Sequence, residues 1–506
     1  MGTRMKLASE SKEEPPGDAL NQSNKVNQAN ILPERDHKDK RSFFAAKKRP
    51  PPRRLLNLSY QINRNNFQIK VFDDIYTVKY ANGVLKRLDK QTKEILVSNF
   101  LYNRALPLSL VQKKALFFQS SLPLLKPLTE YGTKKDIARL SELINLKSKK
   151  LFQNLAAAQK DKVLFTEFGL PQTILPTQKT SSSSAVLSLS FGKDSLLTYG
   201  LAKEAGLKTH LAFINDMEKY NPNELKIKKR IIKAFCKNQN EEVFLINDDT
   251  DNLFRNKKLK GQFDELDGTN GMLSFALELI PLAFDKHAKY IIFGNERNLD
   301  DYFINQENLK VYPSGDQSLP YMKEQNKYLN LLTGGHLKVT SLVKPLYNLA
   351  EAKILYHRYP HLLKYLMSCS SEKITHSRWC YQCTTCAWAA LYAAAFGRPS
   401  EIGFKTNFFA KRYLQFFSLF NPKIDQIYER PPQIREEQLL GFLLAYRRGS
   451  KGPLMNLFIR EFLKEAEKKE SYLRKKFFLI HSTEVLPKEF KGKVLKIFRK
   501  ELRNLS

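Results

Sequence analysis

Cysteine is scarce in this sequence, with five residues in 506, an odd number. A secreted disulfide scaffold is short and rich in paired cysteines, so that class does not fit, and reduced thiols or a metal site fit better. Long apolar runs are missing as well. The two longest, residues 272–284 (broken by Glu278) and residues 386–396, fall short of the ~20 residues that span a bilayer. The amino terminus carries charges where a signal peptide needs an apolar run. We therefore expect a soluble, cytoplasmic protein.

Basic residues are abundant instead. The chain has 84 Lys and Arg against 51 Asp and Glu, a formal charge of +33. Such a charge favours a polyanionic partner such as RNA or DNA, or an anionic membrane face. Because the lysines are spread over the whole chain, solvated basic faces without such a partner explain the charge equally well. With 42% hydrophobic and 11% aromatic residues the chain can bury a core, which excludes a wholly disordered protein.

Composition and periodicity divide the chain into five segments. Residues 1–58 are polar and basic, and we expect a tail without a fold. Residues 59–179 form an α+β region. It begins with a predicted antiparallel element with a turn at Asn82-Gly83 and continues with helical spacing from 91 to 155. Residues 180–350 form a predicted α/β domain, 351–400 a metal subdomain around a cysteine cluster, and 401–506 a basic helical region. The alternating apolar residues of the antiparallel element are Phe67, Ile69, Val71, Tyr76, Val78 and Tyr80.

Residues 180–350 alternate short apolar runs with amphipathic helices. Strands are predicted at 185–189, 209–214, 242–246 and 290–293, and helices at 195–205, 223–237 and 271–286. This alternation is typical of parallel βαβ units with right-handed crossovers. The predicted fold class is therefore α/β, a doubly wound, Rossmann-like parallel sheet with a four-cysteine metal subdomain and helical flanks. In such a sheet the ligand lies at the carboxyl ends of the strands.

The segment 188–195, SLSFGKDS, joins the first of these strands to its helix. Gly192 permits a tight turn, the first amides of the helix point outward, and Ser190, Lys193 and Ser195 add hydroxyl and ammonium donors. These groups predict a pyrophosphate-binding loop. The G-x-x-x-x-G-K-S/T spacing of a Walker A loop is absent. The alternative is a chance strand–turn–helix junction in which Asp194 or Ser195 caps the helix.

Two further strand ends carry polar groups at the same edge of the predicted sheet. Asn215 and Asp216 follow the second strand, and the fourth strand is followed by Gly294, Asn295, Glu296 and Arg297. A carboxylate and a guanidinium at this edge can orient an acceptor or hold a phosphate. For Glu296 and Arg297 an ordinary salt bridge in a loop is the alternative.

Four of the cysteines form a cluster, Cys369 followed by Cys380-x-x-Cys383-x-x-Cys386. Four thiolates complete a tetrahedral zinc site with no open position, so we predict a structural metal. An iron–sulfur cluster held by three thiols and chance clustering are the alternatives. Cys236 stands alone on an apolar helix and is expected to be a buried hydrophobe.

The phosphate loop resembles the S-G-G-x-D-S signature of the PP-loop ATP pyrophosphatases (adenine nucleotide alpha hydrolase-like superfamily), with Phe191 in place of the first glycine. A closer resemblance is to the UDP-N-acetylmuramoyl-L-alanyl-L-glutamate epimerases. It rests on residues 295–297, residues 339–346 and the Trp379-Cys380-x-x-Cys383-x-x-Cys386 motif, and it covers about residues 186–398. It implies an enzyme that cleaves ATP to AMP and diphosphate and thereby adenylates the terminal glutamate carboxylate of a UDP-muramoyl dipeptide for epimerisation in peptidoglycan precursor synthesis. Adenylation acidifies the α-proton, so a modest base can remove it.

The resemblance also implies roles for individual residues. The catalytic residues would be Lys193, Asp194, Glu296 and Arg297. ATP with Mg²⁺ would bind the loop and the other strand ends, and zinc would be held by Cys369, Cys380, Cys383 and Cys386. The nucleotide-binding residues would be Ser190, Phe191, Gly192, Lys193, Asp194, Ser195, Asn215, Asp216, Gly294 and Asn295.

Two other functions stay open at this stage. PP-loop enzymes also modify tRNA or nucleobases, and the 7-cyano-7-deazaguanine synthases combine a PP-loop domain with four cysteines. In that interpretation the basic tails hold an RNA backbone, although the sequence contains no recognisable RNA-binding module. The third function is that of an inactive scaffold that binds nucleotide without turnover, an alternative raised by Phe191.

Overall fold

The computed structural model of the chain describes residues 55–167, 171–176, 179–216, 221–259, 263–369, 371 and 373–503. Residues 1–54 of the predicted tail lie outside the described residues, and residues 55–58 belong to a strand in which Leu56 and Leu58 are buried. The described strands and helices fall within one compact unit, Arg53–Ser506. The remaining four predicted segments therefore lie in a single unit.

Ten strands form one sheet, in the order β12-β9-β6-β7-β8-β3-β2-β1-β4-β5, and β10 and β11 pair separately. The strands are β1 Leu55–Ile62, β2 Asn66–Val71, β3 Asp74–Tyr80, β4 Ala115–Ser121, β5 Val163–Glu167, β6 Ser181–Ser188, β7 Lys208–Asn215, β8 Val243–Asp248, β9 Ala288–Phe293, β10 Phe303–Ile304, β11 Lys310–Val311 and β12 Lys338–Ser341.

Helices cover both faces of this sheet and fill the carboxyl-terminal region. They are α1 Lys90–Ala105, α2 Lys126–Ile144, α3 Ser148–Ala157, α4 Lys193–Ala205, α5 Pro222–Gln239, α6 Gly271–Asp285, α7 Leu319–Leu332, α8 Asn348–Arg358, α9 Thr384–Phe396, α10 Pro432–Arg447, α11 Pro453–Glu461, α12 Leu463–Phe477 and α13 Lys488–Leu502. None of the described helices is long and apolar enough to cross a membrane.

The parallel half of the sheet is doubly wound, as predicted. β6 lies at its centre, with β7 and β8 on one side and β9 and β12 on the other. Apolar residues of α4 and α5 belong to one core and those of α6 and α7 to the other. Along β6, Ala185 and Leu187 enter the first core and Val186 the second. Burial on both faces explains why this strand is an unbroken apolar run.

The whole sheet is mixed, whereas a purely parallel sheet was predicted. β3 pairs antiparallel with β8, and β2 and β1 continue antiparallel from it, so the amino-terminal α+β region extends the same sheet. β2 and β3 are the predicted antiparallel element, and all six of its alternating apolar residues are buried. Phe72 and Asp73 join the two strands, whereas Asn82-Gly83 turns the chain after β3. β4 interrupts the stretch that was predicted to be helical. The sequence did not indicate this strand, because its run ALFFQSS is too short and too apolar to show an alternation of period two.

The carboxyl-terminal region is helical, as predicted, and part of its basic charge is paired with acids. The Arg474 Nε lies 2.6 Å from Glu470 and the Lys469 Nζ 2.8 Å from Glu465. α13 places the Glu489 carboxylate 2.6 Å from the Tyr290 hydroxyl of β9. This region therefore packs against the sheet domain as part of the same unit.

Candidate active site and metal centre

Two strand ends meet at the point where the strand order of the parallel half reverses. β6 and β9 are neighbours there, so the loops that follow Ser188 and Phe293 lie at one edge of the sheet. A Cβ built on Gly294 would lie 2.8 Å from the Asp194 Cβ and 3.1 Å from the Ser195 backbone nitrogen. Because only glycine allows this approach, the loop after β9 lies directly on the first turn of α4. Ligands of doubly wound sheets bind in this crevice.

Phe191 stands where the PP-loop signature has its first glycine, and it adopts a glycine-like backbone. Its φ is 63° and its ring is fully buried against Phe235, with the ring centroids 5.3 Å apart. The Phe191 carbonyl accepts a hydrogen bond of 2.9 Å from the Met367 amide. The left-handed backbone of a non-glycine residue costs about 1–2 kcal/mol, and burial of the ring offsets this. The ring points into the core, away from the exposed Ser190.

The hydroxyl groups of the loop are held close to its backbone. The Ser190 Oγ lies 3.3 Å from the Ser195 Oγ and accepts a bond of 3.4 Å from the Gly192 amide. Ser195 donates to the Gly192 carbonyl at 3.1 Å, and the Lys193 amide donates to the Ser368 Oγ at 3.3 Å. α4 begins at Lys193, so these groups surround the positive end of a helix. Hydroxyls and first-turn amides at this position suit a phosphate.

Lys193 carries the positive charge of the site. Its Nζ contacts carboxylate oxygens of both Asp194 and Glu351, and its side chain is nearly buried. Burial opposes a charged lysine, but the two carboxyl groups raise the pKa of Lys193 above its ordinary value. Burial raises the pKa of Glu351 well above normal, whereas Lys193 lowers the pKa of Asp194 against the effect of its own burial. Lys193 and Asp194 therefore form an ion pair, whereas burial opposes the charged form of Glu351.

Two buried polar atoms in this region have no hydrogen-bond partner among the described residues: Tyr356 Oη and Asn295 Nδ2. Their residues are at most 2% exposed. Native proteins rarely leave such atoms unpaired, so a polar ligand fits here. Asp194 supplies carboxylate oxygens of the kind that Mg²⁺ prefers. The residues present therefore fit a nucleotide phosphate chain with Mg²⁺.

The end of β7 lies beside the loop and carries the predicted Asn215 and Asp216. Asn215 is fully buried and its Nδ2 donates to Asn247 at 2.7 Å, so this side chain ties β7 to β8. Burial, with the nearby Asp248, raises the pKa of Asp216 to about 6. On α5, Lys228 donates to the Ser190 carbonyl and, at 2.8 Å, to the Met367 carbonyl. Lys228 thus fixes the back of the phosphate loop.

Glu296 and Arg297, the two predicted groups after β9, point in different directions. Glu296 lines the same cavity as Lys193 and Asp194, and burial followed by repulsion from Asp194 raises its pKa to about 8. The Arg297 Nη1 lies 2.7 Å from Asp300, and its guanidinium lies over the Tyr347 ring. Arg297 is not among the cavity-lining residues. Arg297 therefore forms an ordinary salt bridge within the loop, which was the alternative to a ligand-binding role.

A buried lysine fixes the backbone that carries Glu296. Lys344, which is 0% exposed, lies in the segment 339–346 that contributed to the epimerase resemblance. Its Nζ donates to the Glu296 carbonyl at 2.9 Å and lies 3.0 Å from Asp300. The segment after β12 therefore holds the loop after β9 in place.

A cavity of about 250 Å³ opens beyond Lys193. One wall is the face of α9 that carries Thr384, Thr385, Trp388 and Tyr392, and the opposite wall includes Asn298 and Leu299 after β9. The Trp388 Nε1 donates to Glu429 at 2.6 Å, and burial raises the pKa of Glu429 to about 7. Since Lys193, Asp194 and Glu296 also line it, the cavity brings a second molecule within reach of a phosphate held on the loop.

The four clustered cysteines have the geometry of a metal site. Their sulfurs all lie within 4.8 Å of one another, with Cys369 to Cys383 at 3.7 Å and Cys380 to Cys386 at 3.8 Å. Zinc–sulfur bonds of about 2.3 Å at tetrahedral angles separate the sulfurs by about 3.8 Å. The four residues therefore fit a tetrahedral metal. Cys236, on α5, lies outside this group.

The cysteine group also positions the cavity wall. Cys383 caps the amino terminus of α9, where its sulfur accepts a bond from the Cys386 amide at 3.4 Å. Trp379 is buried and donates to the Ile402 carbonyl at 2.8 Å. A metal on the thiols would fix the start of α9, and α9 presents Trp388 and Tyr392 to the cavity.

Several residues of the site were not predicted. Glu351, Tyr356 and Tyr392 lie on helices where nothing in the local sequence separates them from ordinary core or surface residues. Lys228 did carry a signal, since it lies on the apolar face of α5 between Leu225 and Ile231. A lysine in the middle of such a face needs a buried partner.

Comparison with known proteins does not assign this site to a family. No protein-family model matches the chain, and a search of curated proteins finds no significant match. What the site can do follows from the geometry of the loop, the cavity and the four cysteines.

Proposed function

We propose that this protein cleaves ATP between its α and β phosphates and transfers the adenylyl group to an acceptor in the cavity. The observation that carries the proposal is the position of Lys193, which lies on the phosphate loop at the switch point and also lines the cavity. A phosphate on the first turn of α4 and a molecule in the cavity would therefore meet at one lysine.

The residues of the loop have separate tasks in this proposal. The outward amides of α4, with Ser190 and Ser195, bind the phosphate oxygens. Lys193 neutralises the charge that develops on the departing diphosphate. Mg²⁺, held through Asp194, would supply further neutralisation of the phosphate charge. Glu351 holds the Lys193 ammonium at the boundary between loop and cavity.

The proposed acceptor is the terminal glutamate carboxylate of UDP-N-acetylmuramoyl-L-alanyl-L-glutamate, following the resemblance of residues 186–398. Glu296 is the proposed base. It lines the cavity, and a pKa near 8 lets it hold and release a proton close to neutral pH. Glu296 would take the α-proton of the adenylated glutamate, the planar enolate would turn in the cavity and recover that proton on its opposite face, and water would then cleave the acyl-adenylate to the free carboxylate and AMP.

A second acceptor class, an RNA base, is favoured by one observation. Gln426 lines the cavity and also a neighbouring groove with basic side chains. An RNA chain on that groove would bring one base to the cavity mouth, where Tyr428 is 53% exposed.

The test uses ATP labelled in the α-phosphate, with Mg²⁺ and with or without the UDP-muramoyl dipeptide. We expect labelled AMP only when the peptide is present. Lys193→Met should abolish it, whereas Lys203→Met, at the exposed end of the same helix, should not change it. Labelled ADP, or AMP that Lys193→Met leaves unchanged, would contradict the proposal. AMP that depends on tRNA would select the second acceptor, and ATP binding without any cleavage would identify an inactive scaffold.

A further inference from the structure

Two basic grooves adjoin the cysteine group. The inner groove, of about 760 Å³, is lined by residues that include Lys373, Tyr381, Arg412, Lys423, Asp425 and Gln426. The outer groove, of about 460 Å³, runs along α5 and is lined by residues that include Arg230, Lys364, His376, Tyr381 and Lys405. Apart from Asp425, neither groove has an acidic lining residue in the part of the chain that the structure describes.

The grooves and the cavity adjoin one another through shared lining residues, and we call the three together the path. Tyr381, which lies between Cys380 and Cys383, lines both the inner and the outer groove. Gln426 lines both the inner groove and the cavity that contains Lys193. A chain lying along this path would pass the cysteine group and reach the mouth of the cavity with one end or one side group.

The cations along the path are available to an outside partner. Arg230, Lys364, Lys373, Lys405, Arg412 and Lys423 are all exposed. None of the six forms an ion pair with an acid among the described residues, in contrast to Lys469 and Arg474 of α12, which are both paired. Part of the charge of +33 is therefore concentrated, unpaired, in one concave surface.

The shape of the path and its aromatic residues narrow the class of partner. A flat anionic membrane cannot enter a groove, and each groove alone has the volume of a pocket for a drug-sized molecule, so two continuous grooves suit a longer chain. Tyr381 is half-buried between the grooves and Tyr428 is exposed at the cavity mouth. Cations spaced along a groove with aromatic side chains between them are typical of surfaces that bind single-stranded nucleic acid.

We propose that the two grooves bind a single-stranded nucleic acid, with its phosphates on the six cations and its bases against Tyr381 and Tyr428. This surface goes beyond the proposed ATP chemistry. It binds whether or not the nucleic acid is also the acceptor, and binding is measured without ATP. A failure of this proposal is therefore distinguishable from a failure of the ATP proposal.

The test measures fluorescence polarisation of labelled 15-nucleotide RNA and DNA of one mixed sequence with the full chain. The groove variant is Lys373→Ala, Arg412→Ala and Lys423→Ala combined. The matched control, with the same loss of charge, is Lys488→Ala, Lys496→Ala and Arg499→Ala on exposed positions of α13. Equal unfolding midpoints for the two variants and the wild type establish that the groove variant is folded.

The expected result is a change in salt dependence confined to the groove variant. Six phosphate contacts predict that binding weakens roughly 300-fold between about 50 and about 200 mM salt, and three contacts predict about 20-fold. Tighter binding of RNA than of DNA would identify contacts to the 2′-hydroxyl and assign the partner as RNA. Equal losses in the groove and control variants would overturn the proposal, because charge alone would then explain binding. Displacement of the oligonucleotide by poly-L-glutamate at the same charge concentration would overturn the proposal as well, because a polyanion without bases would then bind equally well.

Discussion

The close contact between Gly294 and the first turn of α4 predicts the effect of adding a single methyl group at position 294. In Gly294→Ala the new Cβ lies 2.8 Å from the Asp194 Cβ, and ordinary contact begins at 3.4 Å. The loop after β9 or the start of α4 must therefore move by at least about 0.6 Å, and both are packed. Overpacking of this kind costs about 1–3 kcal/mol of unfolding free energy. A displacement of ~1 Å at a catalytic group lowers a rate by about 100-fold.

The assay is AMP formation from ATP, together with urea unfolding of the same preparation. We expect Gly294→Ala to lose most AMP formation while remaining folded. Gly492→Ala on α13 is the matched control, because a Cβ there meets nothing within 4 Å. That change should raise stability by up to about 1 kcal/mol, since alanine is the better helix former, and leave activity unchanged. Full activity in Gly294→Ala would refute the assignment of the crevice as the active site.

Three further predictions follow from the charges and the thiols. Because burial opposes the charged form of Glu351 beside Lys193, Glu351→Gln should keep most AMP formation and Glu351→Ala should lose at least ~10-fold, about 1.4 kcal/mol of barrier; equal rates for the two would contradict its role. Cys383→Ser should lower the bound metal, measured by mass spectrometry, and reduce stability, and an unchanged metal content would contradict the metal site. The pKa of Glu296 rises from 4.5 to about 8 on folding, so the native state holds an extra proton between these pH values and stability falls as pH rises through this range. Glu296→Gln should flatten that decline in urea unfolding between pH 5 and pH 8, and an unchanged slope would show that Glu296 is not the titrating group.

The elements around the loop were predictable because their signals are local. The strands at β6, β7, β8 and β9 are short apolar runs between amphipathic helices, and the four clustered cysteines are close in sequence. The glycine-like backbone of Phe191 was not predictable, because it depends on burial of the ring against Phe235 and on the Met367 amide, both distant in sequence.

The rest of the architecture and part of the site were not predictable from the sequence, because they depend on pairing between residues far apart in the chain. The β3–β8 pair joins residues that lie about 170 positions apart, so the sequence suggested two regions where there is one sheet. Glu351 and Lys193 are separated by 158 positions. The sequence correctly predicted that the backbone of Arg297 lies at the ligand edge of the sheet. Its side chain instead pairs with Asp300, one helical turn further along the chain, and therefore lies away from the cavity.

The most direct test of the central claim is a crystal structure of the protein with Mg²⁺ and an ATP analogue whose α–β bridge cannot be cleaved. We predict phosphate oxygens on the amides of Asp194 and Ser195 and on the Lys193 Nζ, with the α-phosphate facing the cavity. An analogue bound with its phosphates away from Lys193 would contradict the claim.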